Sequence, residues 1–256
     1  MSKLCILVPY GNRIEHNTDH ELRRCEFNGI DVRRVPGYSA IDQARNRIIY
    51  DALKHGYEEF LWVDSDIDFK YEDVLKIKSR GVDIIGAAYS FKGYPQFTIQ
   101  PFENQEITFD TENGGIVPVQ AVATGFLYTT AHLYRVMQQK LELETCNTSF
   151  DAPQIPFYHP NIWTFNEQHY YLGEDFSFCF RARQAGFEVY LDTSIKLGHI
   201  GSYTYKWEDV VNPRYMHSEE VIALKYQHPT GSLNGSTINT SGTIINNISN
   251  VPKKTS

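Results

Sequence analysis

Apolar and polar positions alternate along this chain in blocks that predict strands and helices in turn. Residues 4–8 form a short apolar run closed by Pro9-Tyr10-Gly11-Asn12, which reads as a buried strand and a turn. Residues 29–35 read as a second strand. Between 39 and 55, Ile41, Ala44, Ile48, Ala52 and Leu53 fall at helical spacing. Ser39 stands at the N-cap position with Asp42 three residues on, and Gly56 follows the end. Arg45 and Asn46 need not share that stripe. Residues 60–63, Phe-Leu-Trp-Val, predict a third buried strand, 71–78 a short helix and 82–89 another strand. This alternation predicts an α/β fold, with a mixed, largely parallel sheet flanked by helices. Ligands gather at the carboxyl ends of strands in such sheets. The turn at Pro9-Tyr10-Gly11 and the residues after Val63 lie there.

From about 96 to 130 the texture changes. Short β-like pieces (97–99, 106–109, 116–122 and 126–129) are separated by turn residues such as Gly114-Gly115. Residues 131–143 read as a helix, 144–166 as an irregular Pro-rich loop, 174–185 as a helix closed by Gly186, and 188–191 as a strand. The expected domain is 1–228, in halves of about 1–95 and 96–228, the second carrying a smaller β region. Residues 229–256 are rich in Ser, Thr and Asn and hold no aromatic residue, so they predict a disordered tail. Their scattered Ile residues leave open a small β element made with another chain.

The chain has 256 residues, which suits one large domain or a domain with an appendage. Its net charge of −7 argues against a general nucleic-acid binder. The four cysteines show no C-x-x-C spacing, so neither a zinc site nor a disulfide framework is indicated. No apolar run approaches the ~20 residues that span a bilayer, and the first residues run straight into a strand. The expected location is cytoplasmic, with oligomeric state left open. Aromatic residues make up 14% and either fill the core or line a sugar cleft.

The candidate chemistry begins where the third strand ends. Asp64, Asp66 and Asp68 alternate, and side chains two apart on an extended chain point the same way. Carboxylates that close repel, and a divalent cation relieves them. A solvated acidic turn is the plainer account. An EF-hand loop is excluded, because its sixth and twelfth positions hold Phe69 and Leu75 instead of Gly and Glu. Two clusters follow in the second half: Gly173-Glu174-Asp175 opening a helix, and Gly198-His199-Ile200-Gly201. Taken singly, each also reads as structural: acids suit a helix N-terminus, and a His between glycines suits a turn.

Taken as an ordered set, these pieces resemble the GT-A family of nucleotide-sugar glycosyltransferases. The resemblance rests on Leu61-Trp62-Val63-Asp64-Ser65-Asp66, on Gly173-Glu174-Asp175 with downstream Cys179, Arg181, Ala185 and Gly186, and on Gly198-His199-Ile200-Gly201. Ala44-Arg45-Asn46 is similar to a subgroup. It covers roughly residues 3–205 and makes 1–95 the donor half and 96–228 the acceptor half.

The resemblance implies a metal-dependent hexosyltransferase using a nucleoside diphosphate sugar, most readily a UDP-sugar, with Mn²⁺ or Mg²⁺ and a saccharide or other hydroxyl acceptor. It implies Asp66 and His199 as metal ligands, with Asp64 on the ribose or the metal's outer shell and Asp68 as a further ligand in a displaced register. Pro9, Tyr10 and Gly11 would hold the nucleobase, Ser65 would sit beside the donor, and Arg45 and Lys206 would meet phosphate or sugar. Asp175 would be the acceptor's base in an inverting reaction, with Glu174 beside it. Tyr89, Trp163 and residues 123–126 would line the acceptor side or simply pack. A haloacid dehalogenase phosphatase fits less well, because Asp68 stands where Thr or Val is wanted. A sugar nucleotidyltransferase lacks its Gly-rich loop at Pro9–Arg13. A non-catalytic nucleotide-sugar-binding module stays open.

Overall fold

The computed structural model describes residues 3–37, 40–93, 96–165, 167–211 and 221–225. The first half builds β1 (Leu4–Tyr10), α1 (His16–Phe27), β2 (Asp31–Pro36), α2 (Ile41–Lys54), β3 (Glu59–Val63), β4 (Ile67–Asp68), α3 (Tyr71–Lys78) and β5 (Ile84–Ala87). It continues through β6 (Ile99–Gln100), β7 (Glu106–Asp110), β8 (Ile116–Val119), β9 (Ala121–Val122), β10 (Phe126–Thr130) and α4 (Ala131–Lys140). Then come β11 (Asn161–Phe165), β12 (Gln168–Leu172), α5 (Glu174–Gln184), β13 (Val189–Asp192), β14 (Gly198–Ile200), β15 (Thr204–Tyr205), α6 (Glu208–Val211) and β16 (Val221–Lys225).

Seven strands form the main sheet in the order β2-β1-β3-β10-β5-β13-β8. β1 runs parallel to β2 and β3, and β5 parallel to β13. β10 is antiparallel to both β3 and β5, and β8 to β13. Five strands therefore point one way and two the other. The central strands are apolar throughout because both their faces are covered. Cys5, Leu7, Phe60 and Trp62 face one core with Ala44, Ile48 and Ala52 of α2, Leu133 of α4 and Phe178 of α5. Ile6, Val8, Leu61 and Val63 face the other, with Leu22 and Cys25 of α1 and Val74 and Ile77 of α3. Alternation along each strand thus feeds two helical layers.

Several expectations change. Residues 16–27 carry no clear apolar stripe, yet α1 forms there, because two of its buried positions are polar, Thr18 and Glu21. Both are used on the backbone that follows β3: Thr18 Oγ1 donates to the Ile67 carbonyl at 2.9 Å, and Glu21 Oε2 accepts from Tyr71 N–H at 2.9 Å. In α2, Arg45 and Asn46 are buried, whereas Ile41 is 41% exposed. Ser39 lies outside the described residues, and Ala40 takes the N-cap position with no side-chain bond. The run at 126–129 is no peripheral piece; as β10 it sits inside the main sheet, paired on both sides. The expected loop at 144–166 ends in β11, which forms a hairpin with β12. The expected tail at 229–256 lies outside the described residues. Among the described residues no helix is long and apolar enough to cross a membrane.

Candidate active site

The backbone after β3 does not stay extended. Ile67 N–H bonds to the Asp64 carbonyl at 3.2 Å, so Asp64 to Ile67 makes a turn. The expectation that three aspartates share one face therefore fails, since period-two alternation needs a strand. Glu15 N–H holds the Ser65 carbonyl at 2.8 Å, fixing the turn from the α1 side. Each aspartate meets a different neighbour.

Asp64 accepts from Arg45 Nη2 at 2.9 Å. Arg45 is 2% exposed and lies over the Trp62 ring, 5.5 Å from its centroid. Its Nε is 3.5 Å from Glu174 Oε1. Burial opposes the charge, but Asp64 and Glu174 more than restore it, so the guanidinium is raised and stays a cation. Even so, Nε and Nη1 have no hydrogen-bond partner among the described residues.

Asp66 meets His199. β14 pairs antiparallel with β4, setting Gly198 opposite Asp68 and His199 opposite Ile67, and Ile200 N–H bonds to the Asp66 carbonyl at 2.8 Å. Gly198 is required there: a Cβ would stand 2.9 Å from Thr204 Cγ2 and 3.1 Å from Asp68 Cβ. His199 Nε2 lies 3.7 Å from Asp66 Oδ1. His199 Nδ1 lies 2.9 Å from the Ser90 carbonyl, which can only accept, so Nδ1 carries the proton. In the neutral ring the Nε2 lone pair then faces Asp66. The other Asp66 oxygen, Oδ2, accepts from Lys92 Nζ at 2.5 Å. Burial opposes ionisation of Asp66, but a protonated His199 together with Lys92 outweighs it and holds the carboxyl below its usual range. Asp68 pairs opposite Gly198, its Cβ 3.1 Å from where a Gly198 Cβ would stand.

Among the described residues no group of three or more His, Cys, Asp or Glu is arranged to hold an ion alone. The donor set of Asp66 and His199 nevertheless fits a shared cation. One carboxylate oxygen and one oriented imidazole nitrogen 3.7 Å apart can both reach a single ion at ordinary ligand lengths of about 2.1 Å. Carboxylate oxygen with an imidazole nitrogen suits Mn²⁺ somewhat better than Mg²⁺.

Pro9, Tyr10, Gly11, Ile41, Ala44, Asp64, Ser65 and Asp66 line one cleft of about 210 Å³ at the carboxyl end of the sheet. Pro9 and Tyr10, expected in a turn, instead continue β1 in register with Val35 and Pro36, so the end of β1 and the turn after β3 share one space. Glu174 and Asp175 open α5 behind Gly173. Asp175 Oδ1 accepts from Phe176 N–H at 2.7 Å. Burial, then the neighbouring Glu174, push its carboxyl up to about 6. Tyr89 is buried beside this group, and its hydroxyl accepts from Gly125 N–H at 3.1 Å. Burial, followed by Asp64 and Asp175, raises its phenol so that it stays protonated. Its ring meets His199 edge-on, with centroids 5.0 Å apart.

The remaining expected residues are placed as follows. Lys206 is exposed at the start of α6; its backbone N–H bonds to Asp209 Oδ2 at 2.7 Å, and its ammonium makes no ion pair among the described residues. Trp163 packs on Phe180 with centroids 4.9 Å apart. Ala123, Thr124 and Phe126 are buried packing residues. Cys179 and Ala185 are core, and Arg181 donates to the Phe157 carbonyl at 3.1 Å. Sequence reasoning missed Lys92 and the Ser90 carbonyl. Their only signal was position, just beyond the carboxyl end of β5.

No protein-family model and no curated protein matches the chain. Distant solved structures do. A197 from STIV is 13% identical with a TM-score of 0.48, over 80% of this chain and 91% of that one. GalNAc-T7 with UDP, GalNAc and Mn²⁺ is 12% identical with a TM-score of 0.43, over 81% of this chain and 45% of that one. S. aureus TarS 1–349 in complex with UDP-GlcNAc is 13% identical with a TM-score of 0.38, over 75% and 56%. At TM-scores below 0.5 these likenesses assign no function.

Proposed function

We propose that this chain is a metal-dependent glycosyltransferase of GT-A type, moving a hexosyl group from a nucleoside diphosphate sugar, most readily a UDP-sugar, to a hydroxyl acceptor such as a glycan. One observation carries the reading. A cleft at the carboxyl end of the sheet joins the end of β1, Pro9-Tyr10-Gly11, to the Asp64-Ser65-Asp66 turn, and Asp66, which lines it, is met by His199 with its Nε2 lone pair toward the carboxylate.

In this reading Tyr10 stacks on the base and Asp64, held by Arg45, takes ribose hydroxyls. Arg45 Nη1, buried without a partner among the described residues, is a donor for an oxygen of the sugar or diphosphate. Asp66 and His199 would hold a divalent cation, whose chemistry there would be charge stabilisation of the leaving diphosphate. Lys206, exposed and with no ion pair among the described residues, adds a second positive charge at the phosphate. The acceptor oxygen forms a bond to the anomeric carbon as the bond from that carbon to the diphosphate oxygen breaks, with the electron pair leaving on the diphosphate. The acceptor's proton goes to Asp175, whose carboxyl at about 6 is basic enough to take it and ionised at neutral pH. That basicity supports an inverting reaction. Glu174 stays on Arg45 and orients hydroxyls.

The test is release of UDP from UDP-glucose with Mn²⁺, with and without EDTA, followed by a panel of other nucleotide sugars. EDTA-sensitive donor cleavage is expected. Tight nucleotide binding with no cleavage of any donor, even with glycan acceptors present, would leave a binding module instead.

A further inference from the structure

Asp66 is divided between two groups. His199 Nε2 faces one carboxylate oxygen at 3.7 Å, while Lys92 Nζ holds the other at 2.5 Å. Lys92 belongs to the short turn after β5 that also supplies the Ser90 carbonyl fixing the imidazole. Neither member of the ion pair is deeply buried: the side chains of Lys92 and Asp66 are 37% and 29% exposed. Asp66 is the ammonium's only ion-pair partner among the described residues. A lysine head is a compact cation on a flexible four-carbon stem, so it can leave one anion for another without moving the backbone.

We propose that Lys92 is a built-in counter-ion that occupies Asp66 until a divalent ion and an anionic donor arrive, and that it competes with the ion for this carboxylate. The inference rests on the reading of Asp66 and His199 as the metal seat. An ion at that seat would stand within a few ångströms of the ammonium, and like charges that close repel. Ion and ammonium therefore exclude each other at Asp66. A diphosphate in the adjoining cleft gives the displaced ammonium a new partner. Metal alone then binds weakly, and donor and metal strengthen each other's binding by the same factor. The site is thereby protected from filling with an ion when no donor is present.

The experiment titrates the full chain with Mn²⁺ in nucleotide-free buffer and reads free Mn²⁺ by electron paramagnetic resonance. Lys92→Met is expected to bind Mn²⁺ roughly two- to fivefold tighter than the unmodified chain, the scale of an ion pair at this exposure. Lys92→Arg keeps the charge and is expected to bind no tighter than the unmodified chain. His199→Ala is expected to abolish binding in both backgrounds. If Lys92→Met binds no tighter while His199→Ala still abolishes binding, the competition is refuted and the metal seat stands. If His199→Ala binds normally, the seat fails and the inference with it. A second readout needs no variant at position 92 beyond assignment: the ¹⁵N resonance of the Lys92 ammonium should shift toward that of a free lysine on saturation with Mg²⁺. An unmoved resonance overturns the proposal.

Discussion

Replacing Asp175 by Asn separates catalysis from stability. The Asp175 carboxyl is raised from 3.8 to about 6. That rise of roughly 2 units corresponds to about 3 kcal/mol at about 1.4 kcal/mol per unit. The folded value exceeds the unfolded one, so folding favours the protonated form. The associated stability is full below 3.8 and is lost as pH climbs through about 6. At pH 8 the folded chain bears the whole cost of the buried charge; near pH 4 it bears under about 1 kcal/mol. Asn is neutral at both, and its side-chain oxygen can accept from Phe176 N–H as Asp175 Oδ1 does. Asp175→Asn is therefore expected to gain up to about 3 kcal/mol at pH 8, roughly 6 °C or more in Tm, and little near pH 4. The same change removes the acceptor's base and is expected to lower turnover by about 10²- to 10⁴-fold. In the unmodified chain, log kcat/KM should rise with unit slope to about pH 6 and then level. Thermal melts at the two pH values and a pH–rate profile check both halves. A variant no more stable at pH 8 refutes the raised carboxyl. A stabilised variant with full turnover refutes the base and leaves the electrostatics intact.

Arg45→Met removes the cation that holds the Asp175 carboxyl down, so the acid limb of the pH–rate profile should move upward from about 6; an unmoved limb means Arg45 and Asp175 do not share one field. A Cβ at position 125 would stand 2.3 Å from Tyr89 Oη. Gly125→Ala should therefore cost about 1–3 kcal/mol in urea unfolding and, by displacing the ring beside His199, weaken Mn²⁺ binding. Lys206→Ala should raise the donor KM about tenfold, the scale of one charge-assisted hydrogen bond, with Tm unchanged. Normal donor affinity with normal turnover would remove Lys206 from the phosphate.

The layered α/β plan was legible because β1, β3 and β5 are covered on both faces and so read as unbroken apolar runs, while α2 and α3 announce themselves by spacing. α1 was not legible, because Thr18 and Glu21 are buried for hydrogen bonding, a purpose that hydrophobic periodicity does not register. The place of β10 between β3 and β5 depends on long-range pairing that no local pattern carries. At the site, position at the strand ends pointed the end of β1 and the turn after β3 to one cleft, whereas the pairing of His199 with Asp66 came from the GT-A resemblance and not from any spacing in the chain. The division of labour among the aspartates was hidden, because a turn at Ser65-Asp66 broke the alternation assumed for a strand. Lys92 was hidden for a different reason: a lone lysine in a loop has no spacing to give it away.

Helix α1 contributes no group to the cleft, yet Glu15 N–H, Thr18 and Glu21 hold the Ser65 carbonyl, the Ile67 carbonyl and the Tyr71 amide. An engineer who grafted the five residues Asp64 to Asp68 onto a foreign scaffold would transfer the charges without their jig. The clamp would have to travel too, although Thr18 stands 49 positions upstream of its carbonyl partner. The smallest portable unit is thus the whole stretch from β1 to α3, with the strand bearing the imidazole supplied in register.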